Sequence, residues 1–294
     1  MFDNVAIGVD GRSGGRDAIA LAKQLAAPGA RVTLAHVHGS AGMVSRGGGM
    51  VFTADRKYSE RMLEHERDAG SLEAELVVVI GPAVGRALHA LAERRHLDLL
   101  VVGTCHRGAI GRVLAGNDAL ATLNGAPCAV AIAPAGYELQ ASRIAAVGVG
   151  EDASPESTIA LRAALELGER CGAAVRAMSV VSLQSVPDDE PGSADWTEAT
   201  RRLVREESAR LEGITGVDGV AVYGEPSEEL ARLSESVDLL VVGSRGFGSL
   251  GRLMSGSTSN YLAAHVHCPL LVLPRARSAT GESPGSPAAV KQNG

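Results

Sequence analysis

The sequence predicts an α/β protein made of two tandem units, each a parallel sheet with helices on both faces. Two observations carry this. Short apolar runs alternate with amphipathic stretches along the chain, and the whole pattern recurs after 140 residues. Asp98-Leu99-Leu100-Val101-Val102-Gly103 meets Asp238-Leu239-Leu240-Val241-Val242-Gly243, and Gly108, Gly111, Arg112 and Gly116 meet Gly248, Gly251, Arg252 and Gly256. Cys128 meets Cys268, Pro134 meets Pro274, and Ile19-Ala20-Leu21 meets Ile159-Ala160-Leu161, with no gap between those points.

The apolar runs at 4–9, 31–37, 75–80, 98–103 and 128–133 read as the strands of the first unit. Those at 143–149, 174–181, 218–223, 238–243 and 268–273 read as the strands of the second. They are rich in Val, Leu, Ile and Ala with little alternation, as strands covered on both faces are. Helical patterns fill 14–27, 55–70, 83–95 and 117–124, with counterparts at 155–171, 195–212, 227–235 and 257–265. Ser154-Pro155-Glu156 opens one of them with a hydroxyl cap, a first-turn proline and an acid near the positive helix end. Strand–helix alternation implies right-handed crossovers within each sheet. Residues 39–50 and 182–194 break the pattern and are both expected to be mobile loops. The expected domains are 1–136 and 141–275, with a short joint at Ala135–Ser142 and a disordered tail from 276 to 294.

A chain of 294 residues can bury two cores, and 45% hydrophobic with 21% charged residues is a soluble composition. The net charge of −6 argues against nucleic acid as a partner, because phosphate neutralisation needs a basic surface. No apolar run reaches the ~18 residues of a membrane span, and the start Met1-Phe2-Asp3-Asn4 lacks a secretory pattern, so a cytoplasmic location is expected. Cys105, Cys128, Cys171 and Cys268 have no C-x-x-C spacing and read as small hydrophobes.

The segment Gly243-Ser244-Arg245-Gly246, followed after nine residues by Gly256-Ser257-Thr258, leaves the carboxyl end of a buried strand and enters a helix. Ligands of open α/β sheets sit at that edge. Bare amides at Gly243 and Gly246, the Ser257 and Thr258 hydroxyls and a positive helix end suit a phosphate. The bland alternative is a turn whose Ser257 caps its own helix. Three rival motifs fare worse. Gly246-Phe247-Gly248-Ser249-Leu250-Gly251 matches the dinucleotide fingerprint, but no Asp follows Arg252 and Glu282 is the only later Glu. A Walker loop needs a lysine, and only Lys23, Lys57 and Lys291 exist. Ser13-Gly14-Gly15-Arg16-Asp17 approximates a pyrophosphate loop of ATP-consuming amidating and thiolating enzymes, with Ala18 where a serine belongs.

The pattern G-x2-G-x9-G-[ST], on a D-L-L-V-V-G strand and followed by C-P-L-L-V-L-P, resembles the universal stress protein family. Gly8-Val9-Asp10-Gly11, Ser154-Pro155-Glu156-Ser157 and Ala35-His36-Val37-His38 agree with it. The resemblance implies five-stranded parallel sheets of order 3-2-1-4-5, of the adenine nucleotide α-hydrolase-like type. It also implies ATP, alone or with Mg2+, as the ligand of one branch of the family. Carried over, Gly243, Ser244, Arg245, Gly246, Gly256, Ser257 and Thr258 take the phosphates. Asp152, or else Glu151, takes the ribose, and Val180 lies beside the adenine. Strict 140-residue register would instead set Gly150 opposite Asp10. In the first unit Asp10, Val37, Gly103, Gly116 and Asn117 are the counterparts, but His106 replaces a loop glycine and Asn117-Asp118 replaces Ser-Thr. A carboxylate at Asp118 opposes a phosphate, so the second unit is expected to be the better ATP site.

The same resemblance implies a stress-response signalling module with an unidentified protein partner, a pseudo-dimer inside the chain and a further homodimer. An enzyme is not expected, since no catalytic constellation stands out and no acid lies near the second glycine loop to hold a metal. The alternatives are a family scaffold that binds no ATP and an ATP-pyrophosphatase-type enzyme. His36-Val37-His38 and His265-Val266-His267 read as packing rather than metal ligands, and Cys105 as an ordinary loop thiol.

Overall fold

The computed structural model describes residues 2–39, 48–104, 117–140, 142–183, 194–244 and 257–274. The first half runs β1 (Phe2–Gly8), α1 (Ser13–Leu25), β2 (Ala26–Gly39), α2 (Gly48–Ala69), β3 (Glu75–Gly81), α3 (Val84–Arg95), β4 (Leu99–Gly103), α4 (Asn117–Leu123) and β5 (Ala129–Ala133). A one-turn helix, α5 (Tyr137–Gln140), joins it to the second half. That half runs β6 (Ala146–Gly150), α6 (Pro155–Cys171), β7 (Ala174–Val181), α7 (Ala194–Glu212), β8 (Asp218–Tyr223), α8 (Pro226–Leu233), β9 (Leu239–Gly243), α9 (Ser257–His265) and β10 (Leu270–Leu273).

Each half has the strand order 3-2-1-4-5, and the last strands pair to give one ten-stranded sheet, β3-β2-β1-β4-β5-β10-β9-β6-β7-β8. All pairs within a half are parallel; the seam is antiparallel, with Leu271 opposite Ala131. Seam residues are fully buried, and the apolar layers on both faces run across it. One layer gathers Leu88, Leu123 and Ile132 with Leu230, Leu262 and Val266. The other gathers Leu21, Leu25 and Leu63 with Leu167, Leu211 and Leu271. At about 1.5–3 kcal/mol for each fully buried aliphatic side chain, these layers are the main favourable contribution to the fold.

The recurring aspartate before β4 and β9 has a structural use. Asp98 accepts the Asp3 and Asn4 amides at 2.7 and 3.1 Å, and Asp238 accepts the Ala145 and Ala146 amides at 2.8 and 2.9 Å. Each carboxylate pins the start of the neighbouring first strand, fixing its register. Burial nevertheless pushes the Asp98 carboxyl up, the two amide bonds offsetting part of that shift.

A polar staple closes the joint. Asp17, buried on α1, accepts the Gly136 and Glu138 amides at 2.9 and 2.8 Å. Gln24 donates to the Tyr137 hydroxyl at 2.8 Å and accepts the Ile144 amide at 3.1 Å. Arg170 of α6 reaches back to the carbonyls of Gln24 and Ala26.

Two local expectations need correction. The strand expected from residue 31 begins at Ala26, because the chain turns straight out of α1 and pairs Phe2 with Ala26 before an irregularity resets the register at Asn4–Arg31. Residues 48–50, expected to be loop, already belong to α2: the helix is anchored downstream by buried Ser59, Leu63 and Glu66, and propagation from that anchor carries it through Gly48 and Gly49 despite their poor helix propensity. The joint is short, as expected, and holds α5, at whose start Asp17 accepts the Gly136 and Glu138 amides. The remainder of the two expected loops (40–47 and 184–193) and the tail from 275 lie outside the described residues. Among the described residues no helix is long and apolar enough to cross a membrane.

Candidate functional site

The site edge is built by the turns that leave β1, β4, β6 and β9. Strand register decides the equivalences. Val5 pairs with Leu99, and Val147 with Leu239, so the first strands correspond at an offset of 142 while the fourth strands keep 140. Asp152 therefore occupies the register of Asp10, and Gly150 that of Gly8. The turns agree in detail. Asp10 accepts the Arg12 amide at 3.1 Å, Asp152 accepts the Ser154 amide at 3.2 Å, and the residues between, Gly11 and Ala153, sit at φ +74° and +60°. Along the second strands Ala35 pairs with Gly8 and Met178 with Gly150, which sets Val180 opposite Val37.

Glycines at the ends of β4 and β9 answer a packing need. A Cβ on Gly103 would lie 1.9 Å from the Gly14 carbonyl oxygen, and one on Gly243 would lie 2.4 Å from that of Glu156. Each marks where the first helix of its half crosses the strand end. Beyond each glycine comes a hydroxyl, Thr104 or Ser244, only 2% and 1% exposed. Among the described residues neither hydroxyl has a hydrogen-bond partner. A buried donor left unpaired costs about 1–3 kcal/mol, so such a pair in equivalent positions needs an explanation.

In the first half these elements enclose a cavity of about 180 Å³ over the carboxyl ends of β1, β2 and β4. Val37, Val84, Leu88 and Val102 are among its apolar lining residues, and Asp10, His36, Thr104, Asn117 and Asp118 are among its polar ones. Gly103 lines it as well, whereas Gly116 lies outside the described residues. Asn117 is already helical at the start of α4.

In the second half Ser257 and Thr258 stand in the first turn of α9, with Ser244 at the end of β9. Arg245, Gly246 and Gly256 lie outside the described residues. Glu151, the other candidate for the ribose, takes the position of Val9 and faces inward: it is 5% exposed, accepts the Ala153 amide at 3.0 Å and the Ser157 hydroxyl at 3.3 Å, and pairs with Arg210. Arg210 also holds Glu207 at 2.7 Å, and Glu207 accepts the Ser179 hydroxyl at 2.9 Å. The Arg210 guanidinium beside Glu207 pulls that carboxyl below its ordinary range, with the Ser179 bond adding to the effect. Glu151 thus supports the turn that presents Asp152. Ser154 caps α6 as expected, accepting the Ser157 amide at 3.1 Å ahead of Pro155.

Other expected features find ordinary partners. His36 shares its Nδ1 with the Val9 carbonyl at 2.9 Å, His265 shares its own with Tyr261 at 2.7 Å, and His267 lies 3.8 Å from Glu235. Burial pushes the Cys128 and Cys268 thiols up to about 12, which leaves them unreactive. Cys105 and His106 are outside the described residues. Asp17 of the pyrophosphate-like segment is committed to the joint. Sequence reasoning missed Thr104, although it is the 140-residue partner of Ser244, and it missed the Arg210–Glu207 pair, for which no motif exists.

Fold and edge together define a doubly wound α/β protein in duplicate, with its candidate site at the strand carboxyl ends. A model of the universal stress protein family matches residues 1–134 and 144–274, and the chain belongs to that family. A Thermus aquaticus universal stress protein is 36% identical over 119 residues, covering 38% of this chain and 86% of that one. A Mycobacterium tuberculosis universal stress protein is 30% identical over 185 residues, covering 60% of this chain and 61% of the relative. Among solved structures, an Archaeoglobus fulgidus universal stress protein superposes with a TM-score of 0.65 at 19% identity, covering 93% of this chain and 99% of that one.

Proposed function

We propose that the second half is an ATP receptor and that its occupancy alters how the chain engages a protein partner in a stress response. The observation that carries this reading is the buried Ser244 hydroxyl just beyond β9, which has no hydrogen-bond partner among the described residues. Ser257 and Thr258 open α9 in the same half, and Asp152 is held by the same turn as Asp10. Free amides and hydroxyls at a helix start suit phosphate oxygens, and an exposed carboxylate suits ribose hydroxyls. In this reading Gly246 and Gly256 let the loop approach the phosphates, Arg245 adds charge and Val180 borders the base. ATP acts here as a signal that shifts a conformational population, and the chain is a binding protein rather than an enzyme.

The test is direct. Denatured protein, purified without added nucleotide, should release ATP, and added ATP should raise the melting temperature. Gly246→Val and Ser257→Ala should weaken both signals about tenfold or more in affinity, while His106→Ala leaves them unchanged. Absence of any ATP-dependent shift in the wild type would instead favour the scaffold reading, which the altered first loop supports. The pyrophosphatase reading has lost its aspartate to the joint.

A further inference from the structure

The two grooves that flank the β5–β10 seam are alike in build and different in content. Because the seam is antiparallel, each groove joins the amino edge of one half to the carboxyl end of the other half's last strand. On the second half's amino edge the joint fills the groove. Tyr137 lies half-buried there beside Asp238 and Cys268, its hydroxyl accepting from Gln24 at 2.8 Å. Asp17 of α1 fastens this stretch by accepting the Gly136 and Glu138 amides.

The counterparts of that setting, Asp98 and Cys128 with Pro274 in the place of Pro134, line a groove of about 610 Å³ on the first half's amino edge. Phe2, Pro127, Ile159 and Leu273 are among its apolar lining residues, and the exposed Glu93, His96 and Arg162 are among its polar ones. Gly103 packs against Gly14 and Gly243 against Glu156, so α1 and α6 correspond at an offset of 142, which sets Ile159 in the place of Asp17. Isoleucine accepts no amide. The anchor that holds residues 136–138 thus has no equivalent beside Pro274. At the 140-residue offset Arg277 stands in the place of Tyr137, and residues 275–294 contain no aromatic side chain.

An apolar groove with an exposed guanidinium in its lining suits an aromatic ring, which packs its carbon on aliphatic groups and attracts the cation to its face. A single aromatic anchor in such a groove can carry much of the affinity of a protein contact. We propose that this groove docks a protein partner through a short segment bearing a tyrosine, which supplies from outside the ring that Tyr137 supplies within the chain on the other side of the seam. None of the described residues assigned above to phosphate or ribose lines the groove, so the inference goes beyond the nucleotide reading and does not rest on it.

Fluorescence polarisation of a dye-labelled peptide with the sequence of residues 134–140, Pro-Ala-Gly-Tyr-Glu-Leu-Gln, added to the full chain, tests it. The peptide should bind, and a version with alanine in place of the tyrosine should bind about tenfold more weakly. Ile159→Ala should weaken the original peptide about tenfold and Arg162→Ala about threefold. Circular dichroism checks folding; should Ile159→Ala not fold, the alanine peptide and the exposed Arg162→Ala decide. No binding, equal binding of the two peptides, or undiminished binding to folded Ile159→Ala overturns the proposal. Removal of residues 275–294 that raises peptide affinity about tenfold would assign the groove to the chain's own tail. Self-association in sedimentation that Ile159→Ala abolishes would assign it to a second copy, and either result overturns the partner. ATP-dependent melting reports on the second-half site alone, so the two readings fail separately.

Discussion

A single buried acid shows how residue-level chemistry separates the halves. Val9 and Glu151 occupy the same position, yet Glu151 brings Arg210, Glu207 and Ser179 into a connected polar network. The network has a pH signature. Because Arg210 holds the Glu207 carboxyl below the ordinary value of 4.5, its contribution to stability is complete above that pH and is lost as pH falls through the lowered folded value. Thermal melts of wild type and Glu207→Gln followed downward in pH should therefore converge below about 4.5, with the wild type more stable above it. Parallel curves throughout would show that the pair contributes nothing. Asp152 was readable from the Ser-Pro-Glu-Ser motif that follows it, but Glu151 as its support was not, since nothing local announces that an arginine 59 positions later will reach it.

Among elements, the strand-end turns carry both fold and site. Gly243 reads in the sequence as a phosphate contact, and the structure adds a second demand: a Cβ there would lie 2.4 Å from the Glu156 carbonyl oxygen, a backbone atom that cannot swing aside. Gly243→Ala should cost about 1–3 kcal/mol in urea denaturation by pushing α6 off β9. A change under about 0.5 kcal/mol would show that the helix can shift freely. Any loss of ATP binding in that variant must accordingly be read beside its stability, whereas Ser257→Ala, in the exposed first turn of α9, separates the two effects. Element identity was legible because period and length agree: the ten apolar runs became ten strands. Ends were less legible, as β2 and α2 show, because pairing with Phe2 and burial of Leu63 extend elements past what local propensity supports.

For the whole molecule, the antiparallel β5–β10 seam turns two repeats into one sheet with two shared apolar layers. Cooperative unfolding follows, since neither half can leave without exposing the seam. Calorimetry and circular dichroism should report one coincident transition, and two resolved transitions would mean that the halves are energetically separate. Arg170→Ala removes the hydrogen bonds that α6 donates to the Gln24 and Ala26 carbonyls. It should lower stability by about 1–3 kcal/mol without splitting that transition. The staple also accounts for Tyr137, whose hydroxyl burial pushes up to about 12 and which therefore stays neutral while bonded to Gln24.

Periodicity and self-similarity were enough to establish the duplicated α/β plan and the order of elements, because both are displayed by the linear order of residues along the chain. Three things waited for the folded chain: the 142-residue register that aligns Asp152 with Asp10, the partnering of Glu151 with Arg210, and the enclosure of a cavity around Thr104. Each depends on which strand lies beside which and on how closely a helix crosses it. Contacts between residues far apart in the chain leave no trace in local pattern, so only packing could reveal them.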